Sequence, residues 1–158
     1  MIYKCSAIGL NIEIQHKLLN QLYIEGIRHF PNEFGGILIG RYSDNFKTCV
    51  IETTVLPIKY KSSRYSFERG NGGLMKKLKT FYKSEPSLIY VGEWHTHTDN
   101  TSTPSGIDKS AMRRIEEYLE LGISSPLLLI IALNNNDSYK TGFYIQFHNI
   151  LYKYETEN

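Results

Sequence analysis

Runs of residues that favour extended structure recur along the chain. They occupy residues 36–42, 48–57, 64–69, 87–97, 126–133 and 142–154. The run at 87–97 reads SLIYVGEWHTH and is largely apolar, which is typical of a central strand that is covered on both faces. A polar turn, Ser-Asp-Asn, separates 36–42 from 48–57, so these two runs predict neighbouring strands.

Three other segments, 12–29, 74–83 and 103–122, repeat their apolar residues with the spacing of a helix. The apolar faces are Ile14, Leu18, Leu22 and Ile27 in the first, Leu74, Leu78 and Phe81 in the second, and Ala111, Met112, Ile115 and Leu119 in the third. Pro31 predicts a stop just beyond the first helix. Because helices and strands alternate and the apolar strands need cover on both faces, we expect an α/β fold with a mixed sheet between helices.

The third helix has two alternative starts. Thr103 can serve as N-cap with Pro104 in the first turn, and Gly122 predicts the end of the helix. Ser105 and Asp108 also fit a capping box, in which each side chain bonds the backbone N–H of the other. We expect the start at Thr103, which leaves Ser105 and Asp108 free for other contacts.

Composition narrows the classes of function. A net charge of +2 over 158 residues is too small to indicate a nucleic-acid or membrane partner, and the basic run at 75–79 is interpreted as the solvated face of a helix. No window approaches the roughly 20 apolar residues of a membrane span, and the first residues do not resemble a signal peptide. Cys5 and Cys49 are expected to be free, buried thiols of a cytoplasmic protein.

Two of the five histidines stand one residue apart, at His95 and His97. Alternate side chains of a strand share a face, so Glu93, His95 and His97 should point the same way. Two neutral imidazoles can then converge on one metal ion, and nitrogen donors suit zinc. A histidine pair alone is as often an ordinary hydrogen-bonded pair as a metal site.

Asp108 continues the apolar face of the third predicted helix. The loop 98–104 is short enough to bring the first turn of that helix beside the end of the strand at His97. An unpaired carboxylate that faces a core is costly, and a cation opposite it would remove the cost. Two histidines and one aspartate also leave a fourth tetrahedral position for water, as a catalytic zinc site requires.

Such a site needs a general base, and two glutamates are candidates. Glu33 is the better one, because the adjacent Gly35 and Gly36 let the backbone come close to another group and a strand follows. A lone loop glutamate is nevertheless usually only solvated. Glu93 lies one strand step behind His95 and could instead orient the ligands.

Two segments together resemble the signature of the JAB/MPN metalloproteases, the JAMM motif. The first is EFGGILIG, which starts at Glu33, and the second is His-Thr-His-x7-Ser-x-x-Asp, which starts at His95. SSRYSFERGNGGL, YVGEWHTH and TPSGID further resemble the bacterial branch of anti-phage operons, including CBASS peptidases. The resemblance implies a single domain over 1–158, an α/β/α sandwich of the cytidine-deaminase-like type. Thr98 departs from the family, which usually has Pro there.

The resemblance also implies roles for the site residues and a substrate. The roles are ligation of one Zn²⁺ by His95, His97 and Asp108, general-base catalysis by Glu33, and stabilisation of the oxyanion by Ser105. The implied reaction is removal of a ubiquitin-like protein or a nucleotidyltransferase C-terminus from a target. We expect such a partner to have a globular body and a flexible tail, and residues 58–73 to form the lip that the tail contacts unless they are an ordinary surface loop.

Two other functions remain open at this point. One is a peptidase that trims the C-terminal tail of a ubiquitin-like or sulfur-carrier precursor. The other is a catalytically silent MPN binding module, which the presence of all five motif residues disfavours. A purely structural zinc fits poorly with only three protein ligands.

Overall fold

One large sheet organises the part of the chain that the computed structural model describes, residues 1–118, 125–134 and 138–156. Its strands are β1 (Ile2–Cys5), β2 (Leu10–Ile14), β3 (Gly35–Tyr42), β4 (Thr48–Val55), β7 (Ile89–His97), β8 (Leu127–Leu133), β9 (Tyr139–Phe147), β10 (Ile150–Lys153) and β11 (Glu155–Thr156). A separate hairpin consists of β5 (Tyr60–Ser62) and β6 (Phe67–Arg69). The helices are α1 (His16–His29), α2 (Leu74–Tyr82) and α3 (Gly106–Glu117).

The nine strands of the large sheet run in the order β10-β9-β8-β7-β3-β4-β2-β1-β11. Two neighbouring pairs, β7 with β8 and β2 with β4, are parallel, and the others are antiparallel. The sheet is therefore mixed, and β7 lies inside it between β3 and β8. Both expectations from the sequence, the mixed sheet and the central strand at 87–97, are confirmed.

The C-terminal strands join the two edges of this sheet. β10 pairs with β9 at one edge, and β11 pairs with β1 at the other, although only Tyr154 separates β10 from β11. The Tyr154 N–H donates to the Phe143 carbonyl oxygen of β9 at 2.8 Å. The ring centroids of Tyr3 and Phe143 lie 4.5 Å apart. The sheet must therefore curl until its first and last strands meet.

The helices cover both faces of the curled sheet. On the inner face, α1 buries Leu19 and Leu22 in the core cluster that also contains Tyr3 and Phe143; full burial of one such leucine contributes about 1.5–3 kcal/mol. On the outer face, the apolar stripe of α2 packs against Ile37, Ile39 and Tyr90. Met112 of α3 packs on the same outer face, against Leu128 and Ile130 of β8. The chain thus has the expected α/β/α arrangement.

The first helix begins later than the sequence pattern predicts. The predicted helix covered 12–29, but Leu10–Ile14 is strand β2 and α1 starts at His16. Alternation of Ile12 and Ile14 suits the parallel pairing of β2 with β4, and this tertiary contact outweighs the helical spacing. Ile27, predicted to face the core, is 41% exposed.

The predicted start of the third helix at Thr103 is wrong. Ser105 is the N-cap of α3, its Oγ accepts a bond from the Asp108 N–H at 3.1 Å, and Asp108 Oδ2 accepts one from the Ser105 N–H at 2.7 Å. This capping box gives hydrogen-bond partners to the N–H groups of Ser105 and Asp108 at once. A helix that began at Thr103 would leave both N–H groups without these partners. The predicted stop at Gly122 and the face residue Leu119 lie outside the described residues.

The expectation for the two cysteines is confirmed. Cys5 and Cys49 are free and buried, on β1 and β4. Among the described residues, no helix is long and apolar enough to cross a membrane.

The Tyr154 side chain generates a stability prediction, because its hydroxyl is buried without a hydrogen-bond partner. We expect Tyr154→Phe to leave the free energy of unfolding unchanged or to raise it by about 1 kcal/mol, since an unpaired buried polar group is costly. Tyr144→Phe is the matched control. It removes a 2.8 Å bond to the Ser102 carbonyl oxygen and should lower the free energy by about 1 kcal/mol. Urea denaturation measures both, and equal losses would contradict the prediction.

Candidate active site

Three potential metal ligands converge at the end of β7. His95 Nε2 lies 3.1 Å from His97 Nε2 and 3.2 Å from Asp108 Oδ1, and His97 Nε2 lies 3.2 Å from Asp108 Oδ2. All three candidate ligand atoms lie within 4.8 Å of one another. The histidines are buried and the aspartate is half-buried. Strand alternation and the first turn of α3 thus bring together the three residues that the sequence nominates, and their side chains could hold a metal ion.

The hydrogen bonding of His97 indicates which of its nitrogens faces this cluster as an electron-pair donor. Its Nδ1 lies 3.0 Å from the Thr101 carbonyl oxygen, which can only accept, so Nδ1 carries a proton. In the neutral ring, Nε2 is then unprotonated and points at a carboxylate oxygen, which is favourable only if a proton or a metal ion lies between them. Two nitrogens and a carboxylate are a donor set that suits zinc, so the residues fit this ion.

Electrostatics keep the aspartate ionised. Burial by itself would raise the pKa of the Asp108 carboxyl, but its contacts with the imidazoles of His95 and His97 and the hydrogen bond from the Ser105 N–H outweigh it and hold this pKa well below its usual range. Burial would likewise lower the pKa of His97, but its bond to Asp108 outweighs that effect and raises it. A permanent negative charge between two imidazoles attracts a cation.

Glu33 lies in the connection between α1 and β3, and the residue is 8% exposed. Burial raises the pKa of its carboxyl, and the charges of His95 and His97 partly offset that rise. The next residue, Phe34, bonds Thr96, which lies between the two histidines, so Glu33 lies beside the strand that carries the ligand pair. A raised pKa also brings a glutamate nearer to the range in which it exchanges protons at neutral pH.

The glycines after Glu33 permit this approach. Gly35 of β3 pairs with His95 of β7, and a Cβ added to Gly35 would lie 2.1 Å from the Trp94 carbonyl oxygen. One residue earlier, the Phe34 N–H donates to Thr96 Oγ1 at 3.0 Å. Any larger residue at position 35 would push the segment that carries Glu33 away from β7.

Glu93 occupies a different environment. Arg69 Nη2 and Nε contact its two carboxylate oxygens at 2.6 and 2.8 Å, and the Tyr90 hydroxyl donates to it at 2.7 Å. The Arg69 and Glu93 side chains are 16% and 13% exposed. Sequence reasoning missed Arg69 and Tyr90 as partners; the only signal was a carboxylate on the buried strand, which needs a cation or donor.

Ser105 and Thr98 flank the ligands. Ser105 is exposed, and because its Oγ accepts from the Asp108 N–H, its hydroxyl proton is free to donate towards the site. Thr98 directly follows His97, and its Oγ1 donates to the Arg64 carbonyl oxygen at 2.8 Å, at the tip of the β5–β6 hairpin. The segment 58–73 therefore includes a hairpin whose tip contacts the residue next to a candidate ligand.

Residues 15–142 match the family of prokaryotic homologs of the JAB domain. The chain belongs to this family. Membership agrees with the observed α/β fold around one large mixed sheet.

Similar proteins extend the comparison of this JAB-family chain. A protein of Enterobacter hormaechei is 34% identical over 129 residues, which cover 81% of this chain and 71% of the Enterobacter protein. A protein of Vibrio cholerae is 26% identical over 115 residues, which cover 72% of this chain and 73% of the Vibrio protein. Both are named CD-NTase/cGAS isopeptidase. A solution structure from Desulfitobacterium hafniense has a TM-score of 0.64 at 18% identity, over 90% of this chain and 88% of that one, and shows the fold alone.

Proposed function

We propose that this chain is a zinc-dependent isopeptidase. It would remove a conjugated partner, a ubiquitin-like protein or the C-terminus of a nucleotidyltransferase, from target proteins in a CBASS-type anti-phage system. The observation that carries the proposal is the convergence of His95, His97 and Asp108 beside the buried Glu33. The isopeptidase names of its relatives support the class of bond cleaved.

His95, His97 and Asp108 are the residues that would hold the zinc ion. When bound, zinc lowers the pKa of a coordinated water towards about 7 and polarises a carbonyl group. The remaining chemistry belongs to the side chains around it.

Glu33 is the proposed general base and acid. It takes a proton from the attacking water and delivers it to the leaving lysine amine as the amide bond breaks. The Ser105 hydroxyl donates a hydrogen bond to the oxygen that becomes negative in the transition state. No covalent enzyme intermediate is required, which agrees with the burial of both cysteines and with a pKa of the Cys49 thiol that burial raises to about 12.

The proposed substrate follows from where the candidate site lies. The candidate ligands are buried or half-buried at the end of β7, next to the tip of the β5–β6 hairpin, and we infer that a folded protein body cannot bring a bond to them. An extended tail can, by pairing its backbone with an exposed strand. We therefore propose a partner with a globular body and a flexible C-terminal tail.

The first prediction from this proposal concerns the metal. We expect the purified chain to carry or take up about one Zn²⁺, measured by inductively coupled plasma mass spectrometry. His95→Ala, His97→Ala and Asp108→Ala should each weaken zinc affinity by more than about 10-fold, the lower end of the loss seen even for outer partners of a metal site. His148→Ala, at an exposed histidine outside the cluster, is the control and should bind zinc normally. A wild type that neither contains nor takes up zinc would contradict the proposal.

The second prediction separates the base from its neighbour. Glu33→Gln should keep the fold and the zinc but lose at least about 100-fold in kcat, because it removes proton transfer without changing a ligand. Glu93→Gln should retain substantially more activity, since Glu93 is engaged with Arg69 and Tyr90. Steady-state kinetics of the two variants side by side decide the roles, and the reverse order would make Glu93 the base.

The third prediction concerns the tail. A fusion that carries the partner's C-terminal tail should be cut directly after the last native residue of that tail. Shortening the tail by several residues should abolish cleavage although the globular body is intact, because the site is reached only by an extended chain. Cleavage is followed by gel electrophoresis and mass spectrometry. Comparable cutting of a tail-less fusion or of short unrelated peptides would instead indicate a general peptidase.

The same assay distinguishes deconjugation from precursor processing. An isopeptide-linked conjugate and a linear precursor that carry the same tail should be compared at equal concentration. Deconjugation predicts the higher kcat/KM for the isopeptide-linked conjugate. A strong preference for the linear precursor would favour the processing peptidase.

A further inference from the structure

The backbone N–H and carbonyl of Glu33 bond the β5–β6 hairpin, while the next residue, Phe34, bonds Thr96 of β7. The Glu33 N–H donates to the Ser63 carbonyl oxygen at 2.8 Å, and the Glu33 carbonyl oxygen accepts a bond from the Ser62 hydroxyl. Strand β3 of the large sheet begins only two residues later, at Gly35. The hairpin therefore contributes directly to where the backbone of the proposed base lies.

The hairpin needs anchors of its own. Each of its strands has three residues, and an isolated two-stranded ribbon of that size is marginally stable at best. Its apolar side contacts the core through Tyr60 and Phe67, whose rings lie 5.1 and 5.6 Å from the ring of Phe34. These contacts fix one face of the hairpin, but not its ends.

Two polar contacts fix the ends of the hairpin, one to strand β7 and one to the residue that follows it. At its base, Arg69 makes a two-point ion pair with Glu93, two residues before His95. At its tip, the Arg64 carbonyl oxygen accepts a 2.8 Å bond from the hydroxyl of Thr98, the residue after His97. The hairpin is thus attached on either side of the ligand pair, and it holds Glu33 between these attachments.

We propose that Thr98 is a positioning residue for the reaction proposed above. Its hydroxyl holds the hairpin tip so that Ser62 and Ser63 hold Glu33 at the place that proton transfer requires. The expected effect of Thr98 on catalysis rests on the proposed function. Its expected effect on the position of Glu33 rests on the hydrogen bonds alone. A proline at position 98 would have no donor for this bond.

Thr98→Val and Thr98→Ser test the proposal, since the first replaces the hydroxyl with a methyl group of similar size and the second retains the hydroxyl. With zinc-loaded protein and a tail-bearing conjugate, we expect Thr98→Val to lower kcat about tenfold while KM and zinc content stay near wild type, because small displacements of a catalytic group are costly. Thr98→Ser should restore most of kcat. Thr80→Val is the matched control, because that hydroxyl bonds only within α2, to the Lys76 carbonyl oxygen.

A second readout needs neither metal nor substrate. In metal-free protein, exchange of the Glu33 amide hydrogen reports on its bond to Ser63. We expect Thr98→Val to speed this exchange several-fold, and Thr98→Ser and Thr80→Val to leave it near wild type. Ser62→Ala should lower kcat too, and combining it with Thr98→Val should cost less than the product of the single effects, because both act through one hairpin.

The outcomes separate this proposal from the proposed function. If Thr98→Val changes neither the exchange of the Glu33 amide hydrogen nor kcat, the positioning role is overturned. It is also overturned if the substitution raises KM alone, because the hairpin tip would then be a substrate contact. If zinc-loaded wild type cleaves no conjugate, the proposed function fails. The exchange measurement then still decides whether Thr98 holds Glu33.

Discussion

The Asp108 carboxylate is the contact on which the arrangement of the site depends. One of its oxygens accepts the Ser105 N–H and so starts α3, and the same oxygen lies 3.2 Å from His97 Nε2. The other oxygen lies 3.2 Å from His95 Nε2. A single side chain therefore begins a helix and docks that helix on the central strand. Since the carboxylate is ionised and half-buried, the cluster is stable only while positive charge or donated protons face it.

The central strand gives this contact its rigidity. β7 is bonded on both sides, by β3 and by β8, and lies within a sheet whose C-terminal strands join its two edges. Helices cover both of its faces, so His95 and His97 project from backbone that has little freedom to move. Glu33 reaches the same place by a different route, because the glycine at position 35 lets its segment lie directly against β7.

The hairpin adds a polar frame around this rigid strand. Arg69 with Glu93 and Thr98 with the Arg64 carbonyl tie it to β7 and to the residue that follows β7, and its serines bond the backbone of Glu33. Glu93 therefore has a clear part in the architecture: it binds the hairpin and is already occupied by two donors. This separates the two glutamates near the ligands, one fixed in an ion pair and one buried beside the histidines.

Local patterns in the sequence were enough to predict the central strand, the three helices and the histidine pair, because residues that alternate or repeat every three to four positions choose a face without distant partners. They also nominated Glu33, Ser105 and Asp108, which the structure places around that pair. The start of α3 was predicted wrongly because two caps fit the same local sequence, and Ile14 fitted both a strand and a helix. Closure of the sheet, the ion pair of Arg69 with Glu93, and the hold of the hairpin on Glu33 were decided only by the tertiary structure. These contacts join residues far apart in the chain, and which donors and acceptors meet depends on how the whole sheet curls.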